Sequence, residues 1–317
     1  MLDPQGIYEV DETAVARALA DQGEPDAAGE TTSERSGPVL LHSVRGFVDA
    51  GAAGEIAVEH LTEHLESTRL VTFDIDQLLD YRSKRAVMTF DADRWAEYDE
   101  PYLAIDHMVD AEGTGFLLLH GVEPDLQWER VIAAVKHLVD RFGVSLTVGF
   151  HGIPMGIPHT RPMSLTAHAT RAGLVEDYTS FFGRVKVPGS MASLLEYRLG
   201  DAGRDALGFT VHVPHYLGQS RYTPAAVVAL QHVERATGLD LAVGRLAEAA
   251  ADATIEVEKQ VRESTEVAAV VKALEEQYDA FTASVGRPNL LGEQAPLPTA
   301  EELGAEFERF LAQQNDD

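Results

Sequence analysis

Short apolar runs rich in β-branched residues recur along this chain, each followed by a loop and then by a stretch of helical spacing. Residues 39–44, 70–75, 103–105, 116–120 and 144–149 read as strands. Residues 52–65 read as a helix, and residues 126–142 as another through Val131, Val135, Leu138 and Phe142. Such alternation leaves few architectures, and a largely parallel sheet with helices on both faces is the expected one.

The second half is less regular. Residues 164–170 and 207–213 are expected strands, 190–199 a helix capped by Ser190, and 223–237 a helix with Pro224 in its first turn and Gly238 at its end. Residues 242–285 turn to Ala, Glu, Val and Lys, with Val267, Val270, Val271, Leu274, Tyr278 and Phe281 on one face, which predicts a long helix or a helical pair. Thr299 and Glu302 have capping-box spacing for a final helix. Residues 23–37 hold no large apolar side chain and read as a mobile loop. The expected organisation is an N-terminal segment (1–37), an α/β core (38–240) and a C-terminal helical region (241–317).

Charge excludes some functions. With 52 acidic against 25 basic residues and a net charge of −27, unaided binding to nucleic acid or to an anionic membrane is not expected. Cysteine is absent, so no disulfide, zinc-thiolate site or Cys nucleophile can form. The acidic N-terminal stretch and the lack of a long apolar run predict a cytoplasmic protein.

Four loops follow strands and are expected to share one rim at the carboxyl ends of the sheet, where α/β ligands gather. The richest is 151–162, in which Pro154, Pro158 and Pro162 fix φ and His151, Gly152, His159, Thr160 and Arg161 are candidate ligand contacts. In 45–54, Gly51 and its small neighbours allow close backbone approach, and Asp49 can cap the next helix, bind a ribose hydroxyl or help bind a metal. Residues 80–85 form the densest basic cluster, so Arg82 and Arg85, beside Tyr81, either pair internally, pair at a subunit contact, or hold an anion. In 123–128, Pro124 and Asp125 look like a helix start and Trp128 like a packing residue.

Several motifs fail on inspection. Gly46 and Gly51 have phosphate-loop spacing, but Ala52 and Ala53 stand where Lys and Ser or Thr are needed. His60, Glu63 and His64 spell H-x-x-E-H, yet the apolar stripe runs through Val58, Leu61 and Leu65, which predicts a solvated helix side over a zinc site. No G-x-S-x-G elbow occurs. No metal or cofactor is implied, and no pair of residues has diagnostic catalytic spacing.

Taken in order, Gly46-Phe47-Val48-Asp49-Ala50-Gly51, Asp80-Tyr81-Arg82-Ser83-Lys84-Arg85, Glu123-Pro124-Asp125 with Trp128, Pro158-His159-Thr160-Arg161-Pro162, Val213-Pro214-His215-Tyr216, Leu297-Pro298 and residues 306–311 resemble the PAC2 family, named for a proteasome assembly chaperone, and its actinobacterial members in particular. The resemblance implies a three-layer αβα sandwich, phosphorylase/hydrolase-like, with a C-terminal helical extension. It also implies a homo-oligomer, a trimer by fold analogy, and a non-enzymatic assembly-chaperone or interaction role, the proteasome being a candidate partner. The alternative is a binding protein or enzyme for a nucleoside-like or phosphorylated metabolite at the rim. Eukaryotic relatives that insert a hydrophobic-Tyr-X tail are not matched by Gln313-Gln314-Asn315-Asp316-Asp317. The ligase label some bacterial relatives carry has little support among five lysines, none of them in a nucleotide loop.

Overall fold

The computed structural model describes residues 2–20, 37–178 and 182–285. The expected loop, apart from Gly37, and the expected final helix lie outside them. In chain order the elements are β1 (Tyr8–Val10), α1 (Glu12–Ala20), β2 (Val39–Arg45), α2 (Ala53–His64), β3 (Glu66–Phe73), β4 (Met88–Asp91), β5 (Arg94–Tyr98), β6 (Leu103–Val109), β7 (Gly115–Val122) and α3 (Trp128–Arg141). After these come β8 (Leu146–Met155), β9 (Leu165–Ala169), α4 (Met191–Asp201), β10 (Ala206–Pro214), α5 (Thr223–Thr237), α6 (Val243–Glu263) and α7 (Thr265–Val285).

Eight strands form one sheet in the order β1-β3-β6-β7-β2-β8-β10-β9. Only the central four, β7-β2-β8-β10, are mutually parallel; β1, β3 and β6 on one flank and β9 on the other pair antiparallel. The largely parallel expectation is therefore corrected to a mixed sheet. One cause is visible between β6 and β7, where a short turn replaces a crossover helix. Asp110 N donates to Thr114 O (2.9 Å), Thr114 N donates back to Asp110 Oδ1 (2.7 Å), and Gly113 supplies φ 90°. Neighbours joined so tightly must run antiparallel.

Side-chain alternation divides the core into two apolar layers. Leu41, Phe116, Leu118, Val148, Phe150 and Phe209 pack with α2, α5 and the start of α6 on one face. Leu40, Leu117 and Leu119 pack with α1, α3 and α4 on the other. The result is the three-layer α/β arrangement the alternation called for. Helix α5 spans 223–237 with Pro in its first turn and Gly238 in the left-handed C-terminal position, as expected. Ser190 caps α4 through a reciprocal bond pair with Ser193. Residues 242–285 form a pair of helices, broken at Ser264, whose φ −125° and ψ 112° are extended. A compact unit covers residues 1–275 and a second covers 276–317.

Two features differ from expectation. Helix α3 begins at Trp128, after Gln127 in the left-handed region, because Asp125 turns away to accept Asp80 N (2.9 Å). Strands β4 and β5, which pair only with each other, were not anticipated: their turn at Ala92 and Asp93 lacks the Asn-Gly or Asp-Gly signal of a tight hairpin.

Candidate functional site

The four strand-following loops do meet along the carboxyl ends of the parallel strands. Asp49 organises the first. Its carboxylate accepts the N–H groups of Gly54 (2.9 Å) and Glu55 (3.0 Å) at the start of α2, and that of Gly152 in β8 (2.9 Å). Capping is thus its observed work, with the added effect of pinning the loop onto the neighbouring strand. Gly51, at φ 70°, donates its N–H to Gly218 O (2.9 Å) and accepts from Tyr222 N (2.8 Å). Gly152 admits no side chain, since a Cβ there would stand 2.1 Å from Ala50 O.

Glu123 is the clamp that sequence reasoning missed. Buried at the end of β7, it accepts Phe47 N (3.1 Å) and Met191 N (2.7 Å), so it ties the 45–54 loop to the start of α4. Its side chain occupies the space that any Cβ on Gly46 would need, at 2.3 Å. Sequence reading placed Glu123 at the head of the 123–128 loop and in the family motif without giving it a role, and Gly46 was the hint to that role.

The basic cluster divides. Lys84 pairs with Asp125 (3.2 Å) and donates to Glu123 O (3.2 Å), and Tyr81 O–H donates to Asp76 (2.6 Å), which raises the phenol to about 12. The guanidinium groups of Arg82 and Arg85 have no ion pair among the described residues, and both are exposed. Neither these two nor Tyr81 bonds to His151, His159 or Arg161, so the candidate contacts form two groups along the rim.

In the second group, Tyr216 O–H faces His159 Nδ1 at 2.6 Å while its oxygen accepts His159 N–H at 2.8 Å. Burial lowers the His159 imidazole pKa and raises that of the Tyr216 phenol. Thr160 and Arg161 both hold Glu275 of α7, at 2.5 and 3.1 Å. These residues are engaged in fixing the Pro-rich loop.

His151 belongs to a layer of imidazoles on the α4-facing side of the sheet. In register across it lie His42 of β2, Gly149 of β8, Gly208 of β10 and His168 of β9. Both glycines make room for rings: a Cβ on Gly149 would stand 2.4 Å from His42, and one on Gly208 2.0 Å from His168. His168 bonds Glu196 of α4 (2.8 Å) and Thr210 (3.2 Å), and His212 bonds Ser164 and Thr166 (2.9 Å each). Burial drives His42 down to about 4, with His151 and His168 adding to the effect, and drives His212 to about 4 as well. His151 is lowered by burial and pulled back partly by Asp49. His42 is 4% exposed, and its Nδ1 has no hydrogen-bond partner among the described residues.

The expected solvated side of α2 holds for Glu63 and His64, which are exposed, and is corrected for His60. His60 is buried and its Nε2 lies 3.0 Å from Leu241 O, because the start of α6 closes over that flank; His64 stacks on it at 4.8 Å. No group of three or more potential metal ligands is assembled among the described residues. No helix among them is long and apolar enough to cross a membrane.

A family model described as PAC2 family matches residues 43–261. Among solved structures, a Mycobacterium tuberculosis protein of unknown function, Rv2714, is 44% identical, with a TM-score of 0.80, over 88% of this chain and 91% of its own. A Corynebacterium glutamicum protein of unknown function is 35% identical, with a TM-score of 0.78, over 89% and 99%. The Mycobacterium tuberculosis proteasome-assembly chaperone homologue Rv2125 is 25% identical, with a TM-score of 0.67, over 74% and 99%. No curated protein matches the chain.

Proposed function

The chain belongs to the PAC2 family, and from that premise we propose that it is an assembly or interaction protein of the cytoplasm that works as a homo-oligomer. The observation that carries this reading is the β4–β5 hairpin. Every residue of both strands is exposed, and Val87 (69%), Phe90 (58%) and Trp95 (64%) present large apolar surface to solvent. A lone two-stranded hairpin is marginal in water, and exposed aromatic clusters mark protein interfaces. A proteasome is the candidate partner, on the strength of the chaperone homologue among its relatives. Capture of tagged full-length protein from the cells that make it tests this. Proteasome subunits are expected with wild type and not with Phe90→Ser/Trp95→Ser; their absence from both captures refutes that partner.

The alternative, a phosphorylated or nucleoside-like metabolite at the rim, rests on Arg82 and Arg85, which have no ion pair among the described residues. Against it, the cavity at the ends of β2 and β7 is about 60 Å³, whereas small-molecule sites are on the order of 300–1,000 Å³. A thermal-shift screen with nucleotides, nucleosides and phosphate separates the readings: a shift lost in Arg82→Ala and Arg85→Ala supports the metabolite.

A further inference from the structure

On the α2-facing side of the sheet, away from the imidazole layer, three strands bring together a second polar group. Asp106 of β6 is buried; it accepts from the Arg69 guanidinium of β3 and from His120 of β7, whose Nε2 lies 2.8 Å from Oδ2. Burial alone would raise the Asp106 carboxyl, and the bonds from His120 and Arg69 overcome it and hold the group below the usual range. An ionised carboxylate can only accept, so in the neutral imidazole the His120 proton sits on Nε2 and Nδ1 is left as an acceptor. Tyr102 O–H lies 3.3 Å from that Nδ1, its ring edge-on to the imidazole at 5.3 Å.

A buried ion-pair network joining β3, β6 and β7 needs only Arg69, Asp106 and His120. The Arg69 guanidinium also lies over the Tyr102 ring, 5.4 Å from its centroid, which accounts for an aromatic ring there but not for a hydroxyl on the far nitrogen. Tyr102 is also held firmly by its backbone: its carbonyl accepts Val122 N (2.8 Å), and a Cβ on Gly121 would stand 2.0 Å from that carbonyl. Tyr102 lines the 60 Å³ cavity together with Ser43 and Arg45. Ser43 stands opposite His120 in register. Glu55 and Glu59 at the same cavity are engaged by Arg221, which leaves Arg45, with no ion pair among the described residues, as its unpaired positive charge.

We propose that Tyr102, His120 and Asp106 form a hydroxyl–imidazole–carboxylate site that takes short-chain acyl groups from esters. A base within reach of a hydroxyl and itself oriented by a carboxylate is the arrangement that activates a nucleophile. Tyr102 Oη attacks the acyl carbon as its proton passes to His120 Nδ1. The bond to the alcohol oxygen then breaks, and His120 returns the proton to that oxygen. Water, giving a proton to His120, next attacks the tyrosyl ester. The bond to Oη breaks, the phenol regains its proton from His120, and the free acid leaves. Asp106 is a positioning residue and stays ionised throughout. Arg45, which lines the same cavity, is the positive charge available to the negative charge that develops on the attacked carbonyl oxygen. The site is independent of the hairpin, so either reading can fail alone.

The full-length protein is mixed with 4-nitrophenyl acetate, and nitrophenolate release is followed by stopped flow, with peptide mass mapping of quenched samples. The expected result is a burst approaching one equivalent per chain and a single acetyl group on Tyr102. Tyr102→Phe, which keeps the ring, is expected to melt like wild type and to lose both burst and label. His120→Gln should slow acylation by about 10²-fold or more. Asp106→Asn should shift the pH profile of acylation to lower pH, which a purely structural carboxylate would not do. No burst, acetyl on Ser43 or elsewhere in place of Tyr102, or an unchanged burst in Tyr102→Phe overturns the proposal.

Discussion

Replacing Asp49 with alanine should unfold the rim before it affects anything else. The carboxylate holds three backbone N–H groups, those of Gly54, Glu55 and Gly152. Loss of the helix-start bonds alone costs about 0.5–2 kcal/mol. The Gly152 N–H is shut away from water, since the loop carbonyl of Ala50 presses on its Cα, and leaving such a donor unsatisfied costs about 1–3 kcal/mol. Together these give a loss of roughly 2–5 kcal/mol, or a fall in Tm on the order of 5–15 °C for a chain of this size. Asp49→Asn keeps one acceptor oxygen and should lose about half as much. Urea unfolding followed by circular dichroism measures both, the midpoint falling with the slope unchanged. If Asp49→Ala lowers stability by less than about 0.5 kcal/mol, the carboxylate is not the rim's anchor and a ligand role for it regains weight.

Other outcomes follow from the imidazole layer and the clamp. Gly149→Ala places a methyl group against the His42 ring and should cost about 1–3 kcal/mol; His42→Ala in the same chain should recover part of that loss, and additive losses would contradict the contact. His42 and His212 have pKa values near 4 when folded, below the ordinary value of 6.5. The unfolded chain therefore takes up protons first as pH falls, and stability is full above about 6.5 and lost between there and about 4, by roughly 1.4 kcal/mol per pH unit for each histidine. Unfolding midpoints at pH 7 and 5 measure it, and His42→Gln should flatten the slope; an unchanged slope removes His42 from the explanation. Glu123→Ala frees both Phe47 N and Met191 N and should raise hydrogen exchange at both loops, whereas wild-type protection would show that the clamp is dispensable.

Much of the fold was legible because strands and helices announce themselves by local spacing. The five strands and two helices of the first half, α5 with its Pro and Gly, and the helical character of 242–285 all rest on residues near one another in the chain. Strand direction does not. That β6 runs antiparallel to β7 depends on the Asp110 turn and its Gly113, a signal weaker than the apolar runs beside it. The shared rim followed from topology, and Asp49 as a cap from its place before α2. Glu123 and the His42–His168 row were hidden, since they depend on pairings between distant strands. Gly46, Gly149 and Gly208 were visible, but what fills the space beside each was not. His60 looked solvated for the same reason: α6, which buries it, comes nearly two hundred residues later.

The mass of the assembled protein in solution tests the interaction reading most directly. Sedimentation velocity should give a multiple of the 34.4 kDa protomer for the wild-type chain, and a single protomer for Phe90→Ser/Trp95→Ser with its melting temperature unchanged. A wild-type chain that sediments as one protomer, or a hairpin variant that assembles like wild type, contradicts it.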